Sequence, residues 1–315
     1  TCAAVLLLAI SVVLGLLGTT WGMVEANRQK NIAQTQQAIA EDRYVAILDM
    51  AEGYIHEFYA GIVKLNAAMD VRRLVLDETL EHLNTLQSTS RDDPELEALI
   101  AYTHSEYGKY FASLRSANVL DTEQAMVQLN TAVQKFQNLV NKGHSEYGRQ
   151  LALAHYRISD IKKILEEYDA CIKKLDEATP IIKKFLQAYP DHELGHRLFT
   201  SIEMSRLDAF NKTKRYDEAK KQLDHIVEYR RERALGSPKN LKLKRNLANI
   251  LQRGGKINFR LNQFDVASNF YRQAMDIFTE LVALEPENGR ALRDQGWCHY
   301  FLAETLIADS STIDV

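Results

Sequence analysis

The pattern most readily associated with chemistry in this sequence is His-Glu-Leu-Gly-His at residues 192–196. It fits H-E-x-x-H, in which two histidines on one helix face bind zinc and the glutamate acts as a general base. A zinc hydrolase is therefore one hypothesis. Against it, His192 stands two residues after Pro190, at a helix-opening position that comparable segments give to Asn240 and Asn288. No downstream motif supplies an obvious third ligand, so we predict no metal site here and no catalytic residue.

The other residues with reactive groups also point away from catalysis. Cys2, Cys171 and Cys298 form no disulfide framework, so we expect free thiols, which leaves the redox compartment undecided. The sequence contains no glycine-rich phosphate loop, no catalytic-loop aspartate and no D-F-G motif, so we expect neither kinase chemistry nor a cofactor in this segment. A net charge of −3 with mixed signs gives no case for nucleic-acid binding.

A four-residue phrase recurs at a fixed spacing along the chain. Tyr-Asp-Ala-Cys at residues 168–171 returns as Tyr-Asp-Glu-Ala at 216–219 and as Phe-Asp-Val-Ala at 264–267, each 48 residues after the last. Residues at constant distances from these phrases are the prolines Pro190, Pro238 and Pro286, and the arginines Arg149, Arg197, Arg245 and Arg293. A fixed period of this length indicates a repeat protein in which each unit occupies a constant length.

Each copy has the pattern of two helices joined by a turn. In the third copy, apolar residues at Tyr271 and Ala274 follow the small residue Ala267 with the spacing of one helix face. The aspartate of the phrase lies where a helix begins, where its carboxylate can accept backbone N–H groups. An earlier apolar run, which includes Leu247 and Ile250, predicts the first helix of the pair. We therefore predict helix pairs over residues 148–308.

The third copy also resembles the tetratricopeptide repeat. It carries the small and aromatic positions of that family in Gly255, Ala267, Tyr271 and Ala274, followed by Pro286. Each unit has 48 residues where the family usually has about 34. The 14 extra residues divide as 7 in each helix. Seven residues are nearly two turns, so both helices lengthen by roughly 10 Å and still present the same face. Cys171, Leu207 and Ile226 depart from the family's small residues.

The resemblance implies a binding surface. In tetratricopeptide proteins the first helices of successive repeats line a concave groove, which in this sequence corresponds to Tyr156, Asp160, Lys163, Met204, Asp208, Asn211, Lys212, Gln252, Lys256, Phe259 and Arg260. Arg149, Arg197, Arg245 and Arg293 form an arginine ladder on nearly the same stripe. One interpretation is that this ladder pairs with acidic residues of neighbouring repeats. The functional interpretation is a groove that binds an acidic or extended peptide, with a protein or peptide as partner.

Residues 1–24 contain no charged side chain, which predicts one transmembrane helix, with Trp21 at the interface. The spacing of Gly18 and Gly22 would allow two such helices to pack closely, so a homodimer is a further hypothesis. The opening without methionine favours a fragment, and we expect truncation at the other end too. The predicted fold class is all-α: one N-terminal transmembrane helix, then an α-solenoid of tetratricopeptide-like helix pairs with a 48-residue period.

Between the predicted span and the regular repeats, three segments are distinguished by composition. Residues 25–45 are polar and predict a juxtamembrane stalk helix, and residues 46–92 predict a lead-in helix pair with an amphipathic stripe. Residues 93–147 resemble a degenerate first repeat, since Pro94 stands two periods before Pro190. A polar tail, residues 309–315, follows the last repeat.

The order of these segments resembles bacterial, planctomycete-type transmembrane serine/threonine protein kinases, C-terminal to the kinase domain. The resemblance rests on Gly-Thr-Thr-Trp-Gly at 18–22, Val-Arg-Arg-Leu at 71–74, Asp-Asp-Pro-Glu-Leu at 92–96 and Arg-Asn-Leu-Ala at 245–248. The resemblance implies that this segment is a sensor or scaffold module. It also implies a single-pass membrane protein with the repeats on the extracytoplasmic side. ATP and Mg²⁺ would be bound only by a kinase domain outside this segment. A free-standing membrane-anchored scaffold is the alternative.

Overall fold

The computed structural model describes residues 2–53, 59–63, 69–89, 93–113 and 121–313. Within these ranges, the side chains of residues 2–22, 24, 39, 40, 43, 60, 63, 69, 89 and 310–313 lie outside the description. The described chain is built of α-helices and divides into two units, Thr1–His144 and Ser145–Val315.

The first unit contains α1 (Cys2–Gly53), α2 (Ala60–Val63), α3 (Met69–Thr89), α4 (Pro94–Phe111) and α5 (Thr122–Asn141). Its apolar contacts join the end of α1 to α3 and α4 through Leu48, Leu83, Leu86 and Ile100. The α4 helix begins where the Asp93 carboxylate accepts the N–H groups of Glu95 and Leu96, with Pro94 in the first turn, which is a favourable helix start.

The prediction of a membrane-spanning helix is wrong for the part of the chain that the structure describes, since none of its helices combines the length and the apolar character needed to cross a bilayer. A single-pass membrane location, and with it an extracytoplasmic repeat region, is not supported. The predicted membrane packing positions Gly18 and Gly22 lie outside the residues whose side chains are described.

The second unit opens with a short 3-10 helix, Ser145–Tyr147, and continues with seven α-helices. They are α6 (Gly148–Ile164), α7 (Tyr168–Ala188), α8 (Glu193–Lys212), α9 (Tyr216–Gly236), α10 (Leu241–Arg260), α11 (Phe264–Leu284) and α12 (Gly289–Ile313). The second helices of the pairs, α7, α9 and α11, have 21 residues each and begin at the aromatic residue of each repeated phrase. The period in the sequence is therefore the period of the helix pairs.

The two helices of each pair are joined by a turn of one recurring geometry. Glu166, Lys214 and Asn262 have positive φ angles of 60°, 59° and 57°. After α6, the N–H of Glu167 donates to the carbonyl of Lys162 at 2.9 Å, and the N–H of Glu166 donates to that of Lys163 at 3.1 Å. This is a Schellman cap, which satisfies the last helix carbonyls and lets the chain reverse within three residues. The turn explains why adjacent helices run antiparallel.

Small and branched side chains fill the space between the helices of the second unit. Its core contains the fully buried Cys171, Ala178, Ala219, Ala267 and Ala274, all on second helices. The larger apolar side chains that complete this core include Leu151, Ile158, Ile202, Leu207, Leu223, Ile250 and Phe278. Close approach of helices depends on the small residues, because a well-packed interior has no room for larger ones.

Candidate functional site

The predicted groove residues lie on the first helices of three successive pairs. Tyr156, Asp160 and Lys163 are on α6; Met204, Asp208, Asn211 and Lys212 are on α8; Gln252, Lys256, Phe259 and Arg260 are on α10. The structure brings six of them, all on the C-terminal halves of these helices, to one cavity and leaves the others outside it. The ends of the three helices, rather than their full length, therefore define the candidate site.

The cavity has a volume of about 520 Å³. Its lining residues are Lys163, Tyr168, Asp208, Asn211, Lys212, Arg253, Lys256, Ile257 and Arg260. Six of these belong to the predicted set, and the structure adds Tyr168, Arg253 and Ile257. Among the lining residues, five side chains are basic and one is acidic. We call this cavity and its lining the basic groove.

Three cations of the basic groove are held by contacts within the protein. The Lys163 ammonium lies 2.9 Å from Asp160 Oδ1 and donates to Ser205 Oγ at 3.3 Å. The Arg253 guanidinium pairs with Asp208, and the Lys256 ammonium lies 4.0 Å from the centroid of the Phe301 ring. These contacts fix the positions of part of the groove wall, because a paired or stacked cation loses rotational freedom.

Two other cations of the basic groove face solvent. Lys212 and Arg260 are exposed, and no acidic side chain in the described part of the chain pairs with either. Burial, and then repulsion from the charge of Arg260, lowers the pKa of the Arg253 guanidinium. Like charges are therefore concentrated at this end of the first helices. A surface of this kind attracts negative charge and repels positive charge.

The predicted groove residues outside the cavity serve mainly as helix-to-helix contacts. Tyr156 and Met204 are half-buried against the core. Gln252 donates to Cys298 Sγ at 3.3 Å, and the Phe259 ring packs on Phe264 with the ring centroids 5.6 Å apart. The family resemblance placed these residues correctly on the first helices, but it did not predict which of them would line the cavity.

The four residues of the arginine ladder differ in their surroundings. Arg245 on α10 donates from Nε to Asp294 Oδ2 at 3.0 Å, and the guanidinium of Arg293 lies beside the same aspartate. The contact of Arg245 is with an acidic residue one repeat further on, as the pairing interpretation expects, whereas Arg293 contacts the aspartate next to it in the chain. Arg149 is half-buried at the start of α6, while Arg197 is exposed on the first half of α8.

The zinc-binding pattern forms a helix cap. His192 precedes α8, and its Nδ1 accepts the N–H of Gly195 at 3.0 Å. The two ring nitrogens of His196 lie 2.6 Å from the Tyr229 hydroxyl and 2.6 Å from the Pro190 carbonyl. Glu193 pairs with Arg233 at 3.2 Å. One ring nitrogen of His192 and both ring nitrogens of His196 are thus engaged, and no group of three potential metal ligands occurs among the described residues.

Sequence reasoning missed a buried polar cluster that joins α8 to α9. The Glu203 carboxylate is 3% exposed and accepts from Arg206 at 2.5 Å and from Gln222 at 2.8 Å, while His225 Nδ1 lies 2.7 Å away. The Arg206 guanidinium also donates to the Leu175 carbonyl on α7 at 3.0 Å. One period earlier, Ile158 stands in place of Arg206, so a charge at an otherwise apolar position was the available signal.

The chain has similar proteins among solved structures. No family model and no curated protein sequence matches it. Among solved structures, it is similar to a Signal Transduction ATPase with Numerous Domains protein with a tetratricopeptide repeat sensor from Pyrococcus horikoshii. The identity is 15%, the TM-score is 0.48, and the match covers 85% of this chain but 38% of that one.

Two further similar structures have lower scores. A thermophilic tetratricopeptide-repeat protein of Thermus thermophilus matches at 13% identity and a TM-score of 0.31, over 77% of this chain and 99% of that one. The S. pombe nuclear import adaptor Nro1 matches at 11% identity and a TM-score of 0.36, over 80% and 99%. Similarity this low carries no functional argument, so the case rests on this chain's own residues. Its helix pairs, caps and period define an all-α repeat protein of tetratricopeptide-like pairs.

Proposed function

We propose that this repeat module binds an acidic, extended segment of a partner protein in the basic groove. The observation that carries the proposal is the composition of the cavity wall, in which the described lining includes five basic side chains and one acidic side chain. The acidic one, Asp208, is already paired with Arg253. A bound segment would therefore have to supply the opposing negative charge.

The lining also contains groups suited to the rest of a peptide. The Asn211 side chain offers an acceptor oxygen and an amide NH₂ donor, which can pair with the N–H and carbonyl groups of an extended peptide backbone. Tyr168 and Ile257 supply apolar surface beside the cations. A groove with fixed apolar and amide groups and exposed cations can select a segment by its extended shape and by its charge.

The resemblance to transmembrane serine/threonine kinases supports a more specific role, in which the module is the sensor or scaffold that brings a partner to a kinase domain. The alternative is a free-standing scaffold. Reading the coding sequence beside this segment distinguishes them, since a kinase domain in the same frame supports the kinase role and a complete frame without one overturns it.

Binding is tested with the full chain by fluorescence anisotropy, using a labelled poly-glutamate peptide and a poly-lysine peptide of equal length. We expect saturable binding of poly-glutamate alone, weakened by salt because exposed charges are screened. The double variant Lys212→Glu/Arg260→Glu should weaken it by about tenfold or more. The matched control is Lys220→Glu/Arg272→Glu, which changes the same charges on exposed positions of α9 and α11. Equal loss in both variants, or no binding, contradicts the proposal.

A further inference from the structure

A second cleft lies at the other end of α8, away from the basic groove. It is formed by the first half of α8, the second half of α9 and the start of α10, and its volume is about 200 Å³. Its charged residues are Glu193, Arg197, Arg230 and Arg233, and three neutral polar residues, Thr200, Ser201 and Asn246, also line it. We call it the arginine cleft. It takes in Arg197 of the arginine ladder and His196 of the zinc-like pattern.

The central feature of the arginine cleft is Arg230, a half-buried cation without a carboxylate partner among the described residues. One terminal nitrogen donates to the Asn246 carbonyl at 2.6 Å, whereas the buried Nε meets no acceptor in the part of the chain that the structure describes. Burial lowers the pKa of the Arg230 guanidinium to about 10, so it is still charged at neutral pH. Removing part of a charged group from water without a counter-charge costs free energy, so the presence of Arg230 here calls for an explanation.

The neighbouring charges leave the cleft positive. Glu193 pairs with Arg233 at 3.2 Å and therefore does not neutralise Arg230. Arg197 is exposed at the edge of the cleft, and no carboxylate in the described part of the chain pairs with it. Three arginines against one glutamate give the lining two excess positive charges. A single bound dianion would balance them.

The histidine in the cleft is held in a fixed position. The Pro190 carbonyl can only accept, so His196 Nε2 carries the hydrogen across their 2.6 Å contact. In the neutral ring, Nδ1 then accepts from the Tyr229 hydroxyl at 2.6 Å. This chain of hydrogen bonds positions the wall of the cleft beside Arg230. It leaves the guanidinium groups as the donors for a bound group.

We propose that the arginine cleft is a phosphate-binding site, in which Arg230 and Arg197 contact the phosphate oxygens. A phosphate monoester carries between one and two negative charges and three strong acceptor oxygens, whereas a carboxylate carries one charge and two oxygens. A phosphate group therefore matches the two excess positive charges of the lining. Its three oxygens can also accept from both guanidinium groups at once. At about 200 Å³ the cleft is smaller than the usual pocket for a drug-sized ligand, which favours a single phosphate group over a nucleotide.

The phosphate can come from free inorganic phosphate or from a phosphorylated side chain of a partner. The test measures the melting temperature of the full chain against increasing sodium phosphate, with sodium chloride at matched ionic strength as the reference. A phosphoserine peptide and its unphosphorylated form are titrated in parallel. We expect a saturable rise with inorganic phosphate, and tighter binding of the phosphopeptide if the group belongs to a partner.

Two variants locate the effect. Arg230→Met removes a half-buried charge that has no carboxylate partner among the described residues, so the variant should fold and lose the phosphate response. Arg197→Met, at an exposed position, should weaken the response about tenfold. The control Arg272→Met, at an exposed position on α11, should respond like the wild type. The basic-groove variant Lys212→Glu/Arg260→Glu should keep the phosphate response, which separates this proposal from the proposed function. No saturable rise, or an unchanged rise in both Arg230→Met and Arg197→Met, overturns the proposal.

Discussion

Gly255 on α10 lies directly against the ring of Tyr271 on α11. A Cβ atom on Gly255 would stand 2.5 Å from Cε1 of that ring, a distance that ordinary Cβ contacts do not reach. One period earlier the same two positions hold Leu207 and Leu223, both fully buried. The two repeats therefore divide a similar volume differently, with a small and a large residue in one and two medium residues in the other.

Because the two pairs of residues fill a similar volume, a second substitution should restore stability that the first one removes. Gly255→Leu should lower the free energy of unfolding by about 2 to 3 kcal/mol, because the added side chain overlaps the Tyr271 ring. The double variant Gly255→Leu/Tyr271→Leu copies the pair of the preceding repeat and should recover at least half of that loss. Urea unfolding of both variants checks this. A double variant less stable than Gly255→Leu would show that the two positions are not coupled.

Two successive repeats each contain a histidine–glutamate pair, with the two residue types at swapped positions. The first pair predicts how stability depends on pH. His155 Nδ1 lies 3.1 Å from Glu177, and exactly the reverse arrangement, Glu203 with His225, occurs 48 residues later at 2.7 Å. Burial lowers the pKa of His155 below its usual 6.5, although the Glu177 charge opposes this. As the pH falls below about 6.5, the unfolded chain binds a proton that folded His155 does not. The free energy of unfolding should therefore decrease as the pH is lowered from 7 to 5.

Urea unfolding at several pH values tests the direction of this pH dependence. His155→Gln should flatten the pH dependence in this window, since the titrating group is gone. The control is His299→Gln, which removes an exposed histidine. This variant should show the same change of unfolding free energy with pH as the wild type. If His155→Gln keeps the full slope, the loss of stability arises from other groups.

The buried cluster around Glu203 should be sensitive to the loss of one partner. Arg206→Ile leaves the Glu203 carboxylate buried without its cation and should lower the free energy of unfolding by about 3 to 5 kcal/mol. Glu203→Leu/Arg206→Ile introduces the apolar residues that other repeats carry at these positions, Leu251 and Ile158, and should cost less than Arg206→Ile alone. Additive losses in denaturant unfolding would contradict coupling between Glu203 and Arg206.

The recurring turn offers a stabilising change. Lys214 has a φ angle of 59°, a region that glycine adopts more easily than lysine. We expect Lys214→Gly to raise the melting temperature, by an amount equivalent to about 0.5 kcal/mol, after allowing for the greater freedom of glycine in the unfolded chain. Asn262→Gly is the matched comparison and should have a smaller effect, since asparagine tolerates this conformation. A drop in melting temperature for Lys214→Gly would contradict this account of the turn.

The helix pairs were accessible from sequence because their signals are local and repeated. Apolar spacing and a fixed period identify helices and their order, and Tyr168, Tyr216 and Phe264 mark where three of them begin. The left-handed turn residues were not predicted, because Glu166 and Lys214 are not residue types that favour that conformation. Here the tertiary constraint of reversing the chain in three residues determines the backbone.

The candidate sites were less predictable than the fold. Resemblance placed Lys212 and Arg260 on first helices, but their convergence on one cavity depends on how α8 and α10 pack. Nothing local marks Arg230 as lacking a carboxylate partner, since its neighbours Arg231 and Arg233 are the same residue type and both form ion pairs. The membrane prediction relied on the uncharged composition of residues 1–24 and was not supported by the described helices.

The position of a bound acidic peptide tests the central claim most directly. A poly-glutamate peptide carrying a benzophenone group is photo-crosslinked to the full chain, and the attachment sites are mapped by mass spectrometry. The basic groove predicts crosslinks at its lining, around residues 163–168, 208–212 and 253–260, competed by unlabelled poly-glutamate. Crosslinks spread over the outer residues of α9 and α11, or unchanged by the competitor and by Lys212→Glu/Arg260→Glu, would contradict binding of an acidic segment in this groove.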